Sequence, residues 1–266
     1  MKVAFLILTL LLQLMAFPAK GQTILTAQEV MALAQQQSTV PSEFVQGEMK
    51  VYSGERLARF YSFVLGRLWE QETQTEYVRI DFKNAIDPSP STGHRYLLKR
   101  ITQTTPTQWL YVPALRRVRI TSYRPDEPLL QSDYLFYDLT TIQDFADYRY
   151  RFVDANEQVP VIEGDPHTAI VPYQRTISEL EQRGETYVVT GIKYLTQENE
   201  RHARFLDYTE VVPGRFRPRK IIITVEGGRT EILFGQWTFP QPDPQLFTPK
   251  SLETRLLTLA EAEKEK

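Results

Sequence analysis

The sequence predicts a mainly β protein: a single curved antiparallel sheet forming an incomplete (half) barrel of about ten or eleven strands, with an N-terminal helix and short lid helices. Three observations carry this expectation. From Phe44 onward the hydrophobic pattern repeats every second residue rather than at helical spacing. The connections between strand segments are too short for crossover helices, so neighbours pair antiparallel. One helix of about eleven residues cannot cover so wide a sheet, so the sheet has to curl to bury its apolar face.

Composition narrows the function classes. The 266-residue chain is 42% hydrophobic and 24% charged, the balance of a folded protein. Lys and Arg number 31 against 33 Asp and Glu, so no bulk positive field exists to wrap nucleic acid, and no nucleic-acid partner is expected. With no cysteine, disulfides, thiol catalysis, thiolate metal sites and a lipid-modified cysteine are excluded. His94, His167 and His202 are the three histidines, and none has a metal-ligand partner at short spacing, so neither a metal nor a cofactor is expected.

The elements follow in order. Lys2, the apolar run from Val3 to Leu12, and small Ala19 and Gly21 describe a secretory signal, with cleavage expected between Gly21 and Gln22. The apolar core is shorter than the ~20 residues a membrane span needs. Removing residues 1–21 takes the formal charge from −2 to −4, and the mature protein is expected to be exported to the periplasm. Thr26-Ala27-Gln28-Glu29 is a capping box, with Leu25 and Val30 placed as a hydrophobic staple, so a helix is expected from Ala27 to about Gln37, ending before Pro41.

Strands are expected at Gln46–Tyr52, Ala58–Glu70, Glu76–Phe82, Gly93–Arg100, Gln108–Val112, Tyr148–Phe152, Ala169–Ile177, Glu185–Tyr194, Ala203–Val212, Ile221–Val225 and Thr230–Phe239. Gly227-Gly228 reads as a tight hairpin, since both glycines can take positive φ. Asp87 to Ser91 reads as a loop, and Tyr134 to Phe145 as a stretch able to hold one or two short helices. The binding domain is expected to span 22–250. A tail of 251–266 would carry Leu252, Leu256 and Leu259 on one helical face before its charged end.

Trp109-Leu110-Tyr111-Val112-Pro113-Ala114-Leu115-Arg116-Arg117-Val118-Arg119, followed by Gln131-Ser132-Asp133-Tyr134-Leu135-Phe136-Tyr137-Asp138-Leu139, resembles the signature of the LolA-like outer-membrane lipoprotein-sorting family. Pro113, Ser132, Asp133, Tyr134 and Asp138 are the motif positions. The resemblance runs over the mature chain, including Phe44 to Met49 and the terminal Asp243 to Phe247. It implies an unclosed barrel holding lipid or lipoprotein acyl chains under a helical lid in the periplasm, with transient membrane contact. An inner-membrane transporter of the resistance-nodulation-division (RND) type is an implied partner.

Candidate site residues have competing bland readings. Trp109 and Tyr111 share one sheet face and could line an apolar cavity or simply pack the core; Tyr148, Tyr150 and Phe152 carry the same pair of readings. Arg116, Arg117 and Arg119 could meet anionic headgroups or an acidic partner, or be a solvated strand edge. Ser132 or Asp133 could cap a short helix, and Asp138 could pair with an arginine. No nucleophile elbow or paired-carboxylate spacing points to a hydrolase, so no catalytic residue is expected. The leading expectation is a carrier of acyl chains, with an RseB-like envelope sensor docking on a membrane protein as the alternative.

Overall fold

The computed structural model describes residues 25–84, 93–101, 104–139, 147–153, 159–197 and 199–262. The signal segment with its cleavage point, the Asp87 to Ser91 loop and the last four residues lie outside these.

Thr26 opens the first helix by the reciprocal bonds its sequence promised. Its Oγ1 accepts from Glu29 N at 3.2 Å, and its own N donates to Glu29 Oε2 at 2.7 Å, satisfying two otherwise orphaned amides. Helix α1 (Ala27–Ser38) follows and buries Ala27, Val30, Met31 and Ala34.

Fifteen strands come next: β1 (Ser42–Ser53), β2 (Arg56–Glu70), β3 (Thr75–Asn84), β4 (Arg95–Ile101), β5 (Thr107–Val112), β6 (Arg117–Thr121), β7 (Tyr148–Phe152), β8 (Val161–Pro166), β9 (Arg175–Arg183), β10 (Thr186–Leu195), β11 (Glu200–Leu206), β12 (Thr209–Val212), β13 (Arg215–Arg217), β14 (Lys220–Val225) and β15 (Gly228–Thr238). Thirteen form one antiparallel sheet in the order β6-β5-β4-β3-β2-β1-β15-β14-β11-β10-β9-β8-β7, and β12 with β13 makes a separate ribbon. The sheet is not closed: β6 and β7 are its edges.

The sheet is nonetheless strongly curled. Ten strand spacings separate β4 from β7, about 48 Å if the sheet were flat. Yet Arg100 on β4 bonds through Nη2 to Asp147 Oδ2, just ahead of β7, at 2.7 Å, with both side chains buried. Tyr137 and Thr168 also donate to the Asp147 carboxylate, at 3.3 Å each. The wall therefore bends until its two flanks meet across the interior. Inside lies the main core, running from Phe82 and Tyr96 through Val45, Met49, Ile223 and Ile192 to Tyr148 and Ile162.

The outer face needs its own cover. Phe44, Val64, Leu97 and Tyr111 are buried there beneath Leu246, Phe247, Leu252 and Leu257 of the C-terminal segment, which includes helices α3 (Pro249–Thr254) and α4 (Leu259–Ala262). The clamp is Arg79, fully buried on β3. It grips Asp81 with two bonds of 2.9 Å and donates to the carbonyls of Leu246 at 2.8 Å and Arg255 at 2.6 Å. Leu257 N donates to Asp81 Oδ2 at 2.7 Å. Residues 251–257 are thus part of the packed body, and the residues that dock are Leu252 and Leu257, whereas Leu256 stays partly exposed.

Several expectations need correcting. Strands β6, β8 and β13 were not anticipated, and the segment expected as Ala169–Ile177 is a loop until Arg175, where β9 starts. The run 203–212 divides into β11 and β12 because Asp207 takes φ +56° and turns the chain. At the glycine pair only Gly227 has positive φ (+75°); Gly228 already belongs to β15 and pairs with Val225. In the 134–145 stretch the described residues hold one short helix, α2 (Phe136–Leu139).

Asp147→Asn removes the charge that meets Arg100 and leaves a buried guanidinium without its counter-ion. The expected loss is about 3–5 kcal/mol of unfolding free energy, read from the urea midpoint. His94 stacks on Tyr96 with centroids 6.5 Å apart, and desolvation holds its pKa below the ordinary 6.5. The unfolded chain then takes up the proton first, so stability falls as pH drops below about 6.5. His94→Gln should flatten that slope in urea titrations between about pH 7 and pH 5.

Candidate functional site

The inner core leaves a cavity of about 120 Å³ between three walls. The sheet contributes Leu65, Val189, Ile192, Ala203, Ile221, Ile223 and Phe234; α1 contributes Ala34 and Gln37; the segment before β7 contributes Tyr134, Tyr137 and Asp138. Ile221 and Ile223 share the inner face because they lie two apart on one strand, whereas Val189 and Ile192, three apart on β10, share it across the bulge between Val189 and Gly191.

The cover over this cavity is built from the Ser132–Asp138 motif. Asp138 is its hub: Oδ1 accepts from the Tyr173 hydroxyl at 2.6 Å, and Oδ2 accepts from Arg201 Nη2 at 3.1 Å and from Leu135 N at 3.0 Å. Arg201, on β11, also donates to the Asp133 carbonyl and to Tyr173. Asp133 Oδ2 accepts from Thr230 on β15 at 2.8 Å, and Asp133 N donates to the same hydroxyl at 2.9 Å. Gly228 packs tightly beside it: a Cβ there would lie 3.2 Å from Val225 Cγ2 and 3.3 Å from the Asp133 carboxylate. Ser132 closes a turn on itself, donating to the Leu129 carbonyl at 2.6 Å and accepting from Tyr134 N at 3.1 Å. Tyr134 OH donates to the Asp138 carbonyl at 2.6 Å. Burial pushes the Tyr134, Tyr137 and Tyr173 hydroxyls above the ordinary phenol range, so they remain protonated donors.

A second polar cluster closes the end near the helix. Glu43, on β1 and nearly fully buried, gives one oxygen to Arg67 Nη1 and the other to Arg217 Nε, each at 2.8 Å. Arg67 Nη2 also donates to the Leu139 carbonyl at 3.1 Å, tying β2 to α2. From the ribbon, Phe216 N donates to Gln37 Oε1 at 2.9 Å, and Arg215 reaches the Gln36 carbonyl, so the end of α1 is held by β13. Thr186 Oγ1 donates to the Leu33 carbonyl at 3.0 Å from β10.

The sequence-predicted residues distribute unevenly. Tyr134 and Asp138 line the cavity, and Ser132 and Asp133 position them. Trp109 and Tyr111 do share a face, as expected, but it is the outer one: both pack with the C-terminal segment, and neither lines the cavity. Tyr148 is buried in the inner core with its hydroxyl 3.4 Å from that of Tyr137; Tyr150 and Phe152 pack partly exposed beside it, and none of the three lines the cavity. Pro113 starts a single 3-10 turn that reverses the chain between β5 and β6, with Arg116 at φ +51° ending it. Arg116, Arg117 and Arg119 are exposed on that edge, with no ion-pair partner among the described residues, and lie outside the cavity lining. Among the described residues no three His, Asp or Glu side chains converge as metal ligands.

The cavity's cationic end was missed by sequence reasoning. Arg67, Arg217 and Glu43 are far apart in the chain and sit singly in strands, so no local motif marks them. Ile221 with Ile223, and Phe205, did show the right alternation, which was the available signal for the apolar wall.

The class defined by this architecture is the LolA-like half barrel, an unclosed antiparallel sheet wrapped around a helix-covered interior. The chain belongs to the family described as "Uncharacterized protein", whose model matches residues 82–254. Solved structures share the fold, three of them as follows. A domain described as an outer membrane lipoprotein-sorting protein, from Vibrio parahaemolyticus, aligns with a TM-score of 0.74 at 18% identity, covering 85% of this chain and 98% of that one. A DUF1329 family protein from Desulfovibrio piger gives 0.74 at 19%, covering 85% and 97%. A LolA superfamily protein from Nitrosomonas europaea gives 0.63 at 14%, covering 84% and 98%. No curated protein matches the sequence.

Asp138→Asn keeps the shape of the hub and removes the charge facing Arg201. The cover should loosen before the sheet does. Amides of residues 129–139 are expected to exchange at least about tenfold faster, while those of β1 and β15 keep their protection.

Proposed function

We propose that the mature protein is a periplasmic carrier or chaperone. It holds lipid or lipoprotein acyl chains in the inner cavity and delivers them toward the outer membrane or to an inner-membrane transporter partner of the RND type. The observation that carries this reading is the apolar cavity left inside the curled sheet. A dry apolar space of ~150 Å³ takes a benzene-sized guest. The cavity of about 120 Å³ therefore accommodates only a few methylenes, and a full chain requires α1 or the 129–139 cover to move. Each buried methylene contributes ~0.8 kcal/mol, so affinity grows with the length admitted. Both movable elements bury apolar side chains in the core and are tied to the sheet by a small set of polar bonds rather than by continuous sheet pairing, which suits reversible loading. The signal-like first residues and the resemblance of the 109–139 motifs support export and an envelope role.

Arg116, Arg117 and Arg119 fit the same cycle as the surface that touches anionic headgroups or a partner during transfer. The exposed β6 edge, with Ile120 73% exposed between Arg119 and Thr121, also favours the alternative RseB-like reading, a non-enzymatic docking module. The two readings separate on the cavity. Protein purified from an envelope fraction should yield acyl lipid on solvent extraction and mass spectrometry. Ala203→Phe, which fills the cavity, should cut the recovered lipid at least about fivefold at a stability cost of about 1–3 kcal/mol. Trp109→Phe, on the outer face, should leave recovery unchanged. Recovery of no lipid from the unaltered protein would remove the carrier reading and leave the docking one.

A further inference from the structure

We propose that the cavity recognises the free carboxylate of a single-chain fatty acid, held at the end formed by Arg67, Arg217 and Trp237. This rests on the carrier reading and specifies the head of its ligand. These residues come from three elements, β2, β13 and β15, and all three line the cavity. They form one connected cluster: Arg67 and Arg217 share the Glu43 carboxylate, one oxygen each at 2.8 Å, and the Arg217 guanidinium lies 5.9 Å from the centre of the Trp237 ring.

The cluster has unspent donors. Arg67 Nε and Trp237 Nε1 are both buried N–H groups without a hydrogen-bond partner among the described residues. A buried donor left unpaired costs about 1–3 kcal/mol, so two on residues that line one cavity favour an acceptor brought by a ligand. Guanidinium and indole groups only donate, which fixes the chemistry of the missing partner as an oxygen acceptor. Glu43 is already committed on both oxygens. Asp138, the acid that lines the cavity, is committed to Arg201, Tyr173 and Leu135 N, so its charge is already met.

An anionic acceptor fits better than a neutral one. Charge-assisted bonds to guanidinium are roughly twice as strong as neutral ones. A carboxylate also has two oxygens, enough for Arg67 Nε and Trp237 Nε1 together. Glu76 lies close enough to Arg67 to act on it, so the site does not depend on a surplus of positive charge; it depends on the two unused N–H groups. Next to them the wall turns apolar at Leu65, Phe234 and Ile223, where the first methylenes of the chain would lie.

Calorimetric titration of the full mature protein with dodecanoate, methyl dodecanoate and 1-dodecanol tests this. Dodecanoate is expected to bind at least about tenfold more tightly than either neutral compound. Trp237→Phe keeps the ring and deletes only the N–H. It should weaken dodecanoate about tenfold, change 1-dodecanol less than twofold, and leave the circular dichroism spectrum unchanged. Equal affinity for dodecanoate and 1-dodecanol overturns the head-group assignment while leaving the carrier reading intact. Methyl dodecanoate bound as tightly as the acid also overturns it, by showing that an ester carbonyl is recognised. Binding of none of the three removes the carrier reading and this inference together.

Discussion

The 2.7 Å contact between Arg100 and Asp147 is what turns a thirteen-stranded sheet into a container. Sheet twist alone gives a propeller-like surface with an apolar face still open to water. Joining β4 to the start of β7 brings the flanks together, and the residues between them become an interior. The pair lies buried, where a lone charge is far more costly than a satisfied one. A half-curled sheet would expose apolar surface and separate the pair.

Burying one face creates the demand to bury the other, and the chain meets the two demands differently. The inner face is covered by pieces from the beginning and middle of the chain, α1 and the 129–139 segment. Polar contacts at Gln37, Asp133 and Asp138 hold them. The outer face is covered by the end of the chain, held by Arg79, whose guanidinium binds Asp81 and two backbone carbonyls, and packed with Phe44, Leu252 and Leu257. The first cover leaves the cavity of about 120 Å³ beneath it. The division places an adjustable surface inside and a fixed one outside, on the same strands.

How much of this was legible in the sequence follows from the range of the interactions. The capping box at Thr26 and the alternation at Tyr148–Phe152 are local, and both elements appear where the sequence put them. The curl was legible too, as a consequence of having too little helix for so much sheet. Strands β6, β8 and β13 were not, because these short strands carry charged or glycine-bearing sequences with no clean alternation, such as Val161 to Pro166. The face that a strand presents was also beyond reach. Trp109 and Tyr111 were correctly placed together, yet period two cannot say whether the shared face is inner or outer. Asp138 was recognised as a candidate for an arginine partner, but Arg201 lies 63 residues away and nothing local names it. The Glu43, Arg67 and Arg217 cluster is assembled by register across β1, β2 and the ribbon, a distance no spacing rule spans.

The bonds from β13 to the last turn of α1 have a thermodynamic consequence. Arg215, Phe216 and Arg217 all meet Gln36, Gln37 or Glu43, so the helix end and the ribbon form one body. A long-chain guest that displaces the helix must displace the ribbon with it. Measured affinity then equals intrinsic affinity multiplied by the fraction of molecules already ajar. Weakening that attachment raises apparent affinity without altering one atom of the pocket, and a docking protein that pulled on the ribbon could set loading and release from a distance.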